Sequence, residues 1–206
     1  MLETHDRRRL VALAQRSIEC GIGQAGPAPA PRQVLPPALL EPRATFATLT
    51  LAGELRGCCG SLDAVRPLAL DVWHNAWASA FADPRFPAVA AAEIETLEIT
   101  ISVLTPLEPL PFTGERELID GLEPRVDGLV LEIGARRATF LPAVWDMLPE
   151  PCDFLRELKH KAGWTRSELP RGARAWRYRT ESFSGAATVL RRDALEHALP
   201  GSPAPA

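Results

Sequence analysis

Apolar side chains recur along this chain at two spacings, and the change from one to the other marks its elements. Leu10, Leu13, Ala14 and Ile18 fall on one face at helical spacing. A helix is therefore predicted from Thr4, read as its capping residue, to about Cys20, with Gly21 and Gly23 stopping it. Gly26 to Pro37 holds five prolines in twelve residues and reads as an irregular, polyproline-like crossing. From Ala44 the period shortens to two. Thr45, Phe46, Thr48, Leu49, Thr50 and Leu51 predict a strand, Gly53-Glu54 a turn, and Leu55 to Gly60 the returning chain. Pro67 opens a helix over Leu68 to Ala82, which Asp83-Pro84 ends. Its apolar stripe is Trp73, Trp77, Ala80 and Phe81, with Asp71, His74, Asn75 and Ala78 lying off it.

The second half alternates between the same two patterns. Leu97 to Thr105 predicts a β-branched strand, Glu115 to Leu122 a short helix, and Arg125 to Ile133 with Arg136 to Leu141 a hairpin across Gly134-Ala135. Two helical pieces follow, near Leu141 to Met147 and from Cys152 to Ala162, the latter stopped by Gly163. Ala173 to Phe183 reads as one last strand, and Val189 to Leu199 as a weak amphipathic helix before the Pro-rich end. Strands and helices mix without a βαβ rhythm or an internal repeat. The predicted class is α+β.

Composition narrows the function classes. With 46% hydrophobic and 24% charged residues among 206, the chain is of the ordinary globular kind. A formal charge of -3 removes the general electrostatic reason to expect nucleic acid or an anionic membrane as partner. The basic run Arg7-Arg8-Arg9 is followed by too short an apolar stretch for a signal segment, and no run approaches the ~18 apolar residues of a membrane span. The expectation is a cytoplasmic protein with no membrane contact. Cys20, Cys58, Cys59 and Cys152 have neither a disulfide-framework nor a zinc spacing. No phosphate-binding glycine loop or H-E-x-x-H is present, so no metal and no cofactor is expected.

One segment stands out chemically. In Leu55-Arg56-Gly57-Cys58-Cys59-Gly60 two glycines bracket two thiols directly after a strand. The glycines permit a close backbone approach, and Arg56 supplies a fixed positive charge that favours thiolate at Cys58. The competing account makes both cysteines small buried residues at a bulged strand end; a strained vicinal disulfide is a third. Farther on, Asp83-Pro84-Arg85-Phe86 offers a guanidinium either for a substrate anion or for a local carboxylate. His74, three residues from Asp71, has the spacing of an oriented general base, although a surface histidine beside an aspartate is the commoner arrangement. Arg171, Arg174, Trp176, Arg177, Tyr178 and Arg179 interleave bases and aromatics as a nucleic-acid strip does, yet strand alternation puts Arg177 and Arg179 on one solvated face with Ala173 and Ala175 and turns Trp176 and Tyr178 the other way.

LRGCCG, the run Ser79 to Pro87 and ITISVLTP (Ile99 to Pro106) resemble the AMMECR1 family. Within it they are most similar to the prokaryotic members called AmmeMemoRadiSam system protein A. Asp127-Gly128-Leu129, Phe140-Leu141-Pro142, Phe154-Leu155 and Lys161 to Trp164 follow in the family's order and spacing. The resemblance spans about residues 6 to 183, leaving 184 to 206 as a partly disordered tail. It implies an α+β fold with a mixed or antiparallel sheet, packed helices, and two intimately packed subdomains, larger and smaller, around a cleft that the LRGC segment lines. The family pattern is LRGC, an aliphatic residue, then Gly. Cys58 is thus the matching thiol, and Cys59 stands in for isoleucine as a core substitute. Asp127 occupies a position where the family often has histidine. The resemblance also implies the company of a Memo-like protein and a radical SAM protein, but no established reaction.

Three readings follow. The first is an enzyme or enzyme component in which Cys58 is nucleophile, hydrogen donor or redox thiol, Arg56 tunes it, and His74 is a weaker candidate base. In it Gly57, Gly60, Asp83 and Arg85 bind a small anionic ligand. The second is a non-catalytic partner of Memo-like or radical SAM proteins in which LRGCCG is architecture. The third, weakest, is an RNA-related binding module. Whether the chain is an enzyme stays open at this point.

Overall fold

The computed structural model describes residues 1–30, 35–166 and 168–186. The predicted helix Val189 to Leu199 lies outside them. The described residues divide into two compact units, one of Met1–Val103 with Ser182–Ala186, the other Leu104–Glu181.

The first unit is a four-stranded sheet with two long helices. Its helices are α1 (Thr4–Gly21), the single turn α2 (Pro37–Leu40) and α3 (Leu68–Phe81). The strands β1 (Thr45–Leu51), β2 (Glu54–Gly60), β3 (Leu97–Leu104) and, from the end of the described chain, β8 (Thr180–Ala186) lie in the order β2-β1-β3-β8. Strand alternation sends Thr45, Ala47 and Leu49 inward. Ala47 and Leu49 meet Leu10, Ala14 and Ile18 of α1, Val72, Trp73 and Ala76 of α3, and Ile99 and Ile101 of β3 in one core. Each such buried large side chain contributes about 1.5–3 kcal/mol. Trp73 also donates its indole N–H to the Ala28 carbonyl at 2.8 Å, which ties the Pro-rich crossing to α3.

The second unit carries β4 (Glu108–Pro109), α4 (Glu115–Asp120), β5 (Gly128–Ile133), β6 (Arg136–Phe140), α5 (Pro151–Lys161) and β7 (Arg174–Tyr178), with sheet order β4-β7-β5-β6. Phe154, Leu155 and Leu158 of α5 pack with Leu129 and Leu131 of β5 and with Trp145, whose ring stacks on Phe154 at 3.8 Å.

Several boundaries differ from expectation for local reasons. Thr4 is inside α1, and the residue before it, Glu3, makes no side-chain cap. Gly21 does not stop α1 but completes it, because a Cβ there would lie 2.5 Å from the Phe81 ring; Gly23, at φ +72°, takes the chain out of the helix. The β1–β2 turn falls on Ala52-Gly53, with φ of 52° and 84°. Two positive values are the signature of the two-residue turn that matches strand twist. The predicted strand Ala173 to Phe183 is two strands in two sheets. They part at Arg179, whose N–H goes to Thr105 Oγ1 and whose carbonyl receives the Thr105 N–H, both at 2.9 Å.

Candidate functional site

β2 is an edge strand, and its pairing with β1 slips once. Thr50 faces Leu55 and Leu49 faces Gly57, so Arg56 is the extra residue of a bulge. The bulge turns its guanidinium onto Glu93, Nε to Oε1 at 2.8 Å and Nη2 to Oε2 at 3.0 Å. Nη1 also reaches the Pro87 carbonyl at 2.8 Å. The arginine is only 12% exposed and strings the segment 87–93 along the strand. The guanidinium is engaged with Glu93, whose carboxyl it holds below the usual range, and makes no hydrogen bond to Cys58 among the described residues.

The glycines answer to packing. A Cβ on Gly57 would sit 2.0 Å from the Ser79 carbonyl oxygen, and one on Gly60 2.3 Å from the Phe46 ring. The close approach at Gly57 lets Ser79 work between strands: its Oγ accepts the Cys59 N–H at 2.8 Å and has the Ala47 and Asn75 carbonyls each at 2.7 Å as acceptors. Ser79 belongs to a buried polar row with Asp71 and Asn75, one helical turn apart on α3. Asp71 is fully buried and fully used. Its Oδ2 receives Thr45 N–H, Thr45 Oγ1, Ser61 Oγ and Asn75 Nδ2, and its Oδ1 receives Arg66 through two nitrogens. Asp71 therefore does not orient His74. No hydrogen bond joins His74 to Asp71 or Cys58 among the described residues. Burial, with Arg66 adding to it, pushes the His74 imidazole below its ordinary value while Asp71 partly opposes.

Cys58 is held from three sides. Its N–H donates to Asp83 Oδ2 at 2.9 Å, its carbonyl accepts from Arg85 Nη2 at 3.2 Å, and its Sγ lies 3.3 Å from Thr48 Oγ1, its cross-strand neighbour. Asp83 and Arg85 form one fork, Nε to Oδ1 at 2.9 Å and Nη2 to Oδ2 at 2.6 Å, closed by the Arg85 N–H on Oδ1 at 3.1 Å. The guanidinium and the two backbone N–H groups hold the buried Asp83 carboxyl far below the carboxylate range against its burial. Asp83 reciprocally raises Arg85. On an edge strand, this pair occupies the outward N–H and C=O of Cys58 as a neighbouring strand would. Neighbouring strand residues face opposite sides. Cys59 accordingly lies on the Ser79 side, where burial first, then Asp83 and Cys58, push its thiol up. All four cysteines are free, so the vicinal disulfide is not formed.

The arrangement, then, is a half-buried thiol beside a hydroxyl, backed by a fixed ion pair, on a bulged edge strand. The AMMECR1 family model matches residues 11–183, which contain every motif of the resemblance. The chain belongs to the AMMECR1 family. A relative in Thermofilum pendens is 34% identical, with 96% of this chain and 97% of that one covered. One in Methanosarcina acetivorans is 33% identical over 89% of this chain and 93% of its own. The crystal structure of an uncharacterised protein from Pyrococcus horikoshii superposes with a TM-score of 0.79 at 29% identity, covering 89% of this chain and 93% of that one. This AMMECR1-family chain thus shares its α+β architecture with a solved relative of unassigned activity.

Among the described residues no three His, Cys, Asp or Glu side chains are placed to hold a metal ion, and no helix is long and apolar enough to cross a membrane. The arginines of the basic strand have ionic and aromatic neighbours. Arg174 pairs with Glu132, Arg177 with Glu108, and Arg179 with Glu123 and Asp127, while Arg174 and Arg137 lie over the Trp176 ring. Arg174, Arg177 and Arg179 each have at least one carboxylate partner. Thr48, Ser79 and Glu93 were not singled out from the sequence. Only Ser79 left a signal there, its helical spacing from Asp71 and Asn75.

Proposed function

We propose that this AMMECR1-family protein presents Cys58 as the reacting thiol of a site for a small anionic ligand, with Arg85 as the anion-binding arm. The observation that carries this is the Asp83–Arg85 fork on the backbone of Cys58. Arg85 uses Nε and Nη2 in that fork, while its Nη1 makes no hydrogen bond among the described residues and its side chain is 53% exposed. A guanidinium with a donor to spare beside a fixed thiol supports a ligand carrying a carboxylate or phosphate. Asp83 and Thr48 position the thiol, and Gly57 and Gly60 admit the packing behind it. The family resemblance supports work alongside Memo-like and radical SAM proteins.

Site-resolved alkylation with iodoacetamide tests this. Cys58 is expected to react faster than the exposed Cys152 in the folded protein, to be protected by phosphate or acetate, and to slow in Arg85→Gln. A Cys58 that stays unmodified until the protein unfolds overturns the reading. The architectural use of Arg56, Gly57 and Gly60 favours the alternative in that event, a non-catalytic partner protein in which LRGCCG builds the strand edge.

A further inference from the structure

The Arg/aromatic run at the end of the second unit takes no part in the thiol site, yet it borders a hollow of about 240 Å³. Thr105, Glu108, Asp127, Arg177, Tyr178 and Arg179 line it, all within that unit. The Tyr178 hydroxyl is engaged with Thr139 Oγ1 at 2.7 Å and the Phe140 carbonyl at 3.1 Å, so the chemistry offered to the hollow is ionic.

Each arginine there is loosely tied. Arg177 Nε meets Glu108 Oε2 at 3.1 Å and Arg179 Nη2 meets Glu123 Oε2 at 2.9 Å, and both glutamates are more than half exposed. By contrast Arg56, Arg66 and Arg85 each grip a carboxylate through two nitrogens. Arg177 Nη2 and Arg179 Nη1 make no hydrogen bond among the described residues. Asp127, at 1% exposure, supplies the opposite charge. Its Oδ2 takes the Glu123 N–H at 3.0 Å, but Oδ1 has only Arg179 Nε at 3.4 Å, long for such a bond. A buried carboxylate with unused lone pairs favours a further donor.

We propose that this hollow binds a free α-amino acid as its zwitterion, carboxylate on Arg177 and Arg179, ammonium on Asp127 Oδ1 and Glu108. A simple anion would bring negative charge against Asp127, and a simple amine would meet two guanidiniums. A ligand that carries both charged groups on one carbon satisfies both sides. The volume lies below that of drug-sized ligand pockets and suits so small a molecule.

Calorimetric titration of the full chain with the standard α-amino acids, followed by the N-acetyl and carboxamide derivatives of the tightest, tests the proposal. Blocking either end is expected to weaken binding by about tenfold or more, since each removes charge-assisted hydrogen bonds. Arg179→Gln and Asp127→Asn should do the same. In Asp127→Asn the backbone carbonyl that accepts Trp145 Nε1 remains, and an unchanged thermal midpoint of Arg179→Gln separates lost binding from lost folding. Binding of the N-acetyl derivative as tightly as the parent overturns the proposal, and so does an absence of heat with every amino acid at millimolar concentration.

Discussion

Two arginines each next to a glycine or proline, Arg56 and Arg85, looked alike as candidates, and their partners divide them. Arg56 is nearer to Cys58 in sequence but turned away by the bulge; Arg85 arrives from beyond α3 and holds the Cys58 carbonyl. The residue that makes this work is Asp83, buried and kept ionised by its donors. Its folded-state pKa lies below the unfolded value near 3.9. The stabilisation is therefore fully present above about pH 4 and is lost as pH falls below it toward the folded pKa. Asp83→Ala is expected to cost about 2 kcal/mol at neutral pH, the size of a charge-assisted hydrogen bond removed from a buried site. Urea unfolding at pH 7 and again near pH 3 checks this: the gap between variant and wild type should narrow in acid.

At the level of elements, one turn carries strain. Ala52, at φ 52°, occupies the left-handed region that a side chain with a Cβ disfavours. Asparagine tolerates that region better and suits the first position of this turn. Ala52→Asn is expected to stabilise the protein by up to about 1 kcal/mol, read as a raised thermal midpoint. The elements themselves were largely legible, because α1, α3, β1 and β3 each bury one face and so carry a clean period. What periodicity hid were the exceptions. Asp71 and Asn75 read as lying off the apolar stripe of α3 and Ser79 was not singled out, yet backbone N–H and C=O groups of β1 and β2 needed partners there, and these polar side chains supply them. The break at Arg179 was invisible because strand propensity runs unbroken through it, while the switch between sheets is a matter of long-range pairing.

For the whole molecule, charge and its placement decide the partner class. The net charge of -3 already argued against nucleic acid, and carboxylates beside Arg174, Arg177 and Arg179 offset the local basic run. Single-stranded oligonucleotides are expected to bind weakly and with a shallow dependence on salt; a steep fall of affinity with rising salt in a fluorescence titration would restore the RNA-related reading. The thiol of the candidate site was readable from LRGCCG, since two glycines around a cysteine are conspicuous in any strand. Its electrostatic partner was not, because which arginine reaches Cys58 depends on a single bulged residue.

The ion pair on the edge of β2 has a consequence for how the protein behaves in a crowded solution. An open strand edge is a template on which another chain can add, and charged side chains are the common defence. With Asp83 and Arg85 seated on both backbone groups of Cys58, that residue's N–H and C=O are already taken when a strand approaches. The pair that positions the thiol is thus also a gatekeeper against self-association, and weakening it favours aggregation along the same edge.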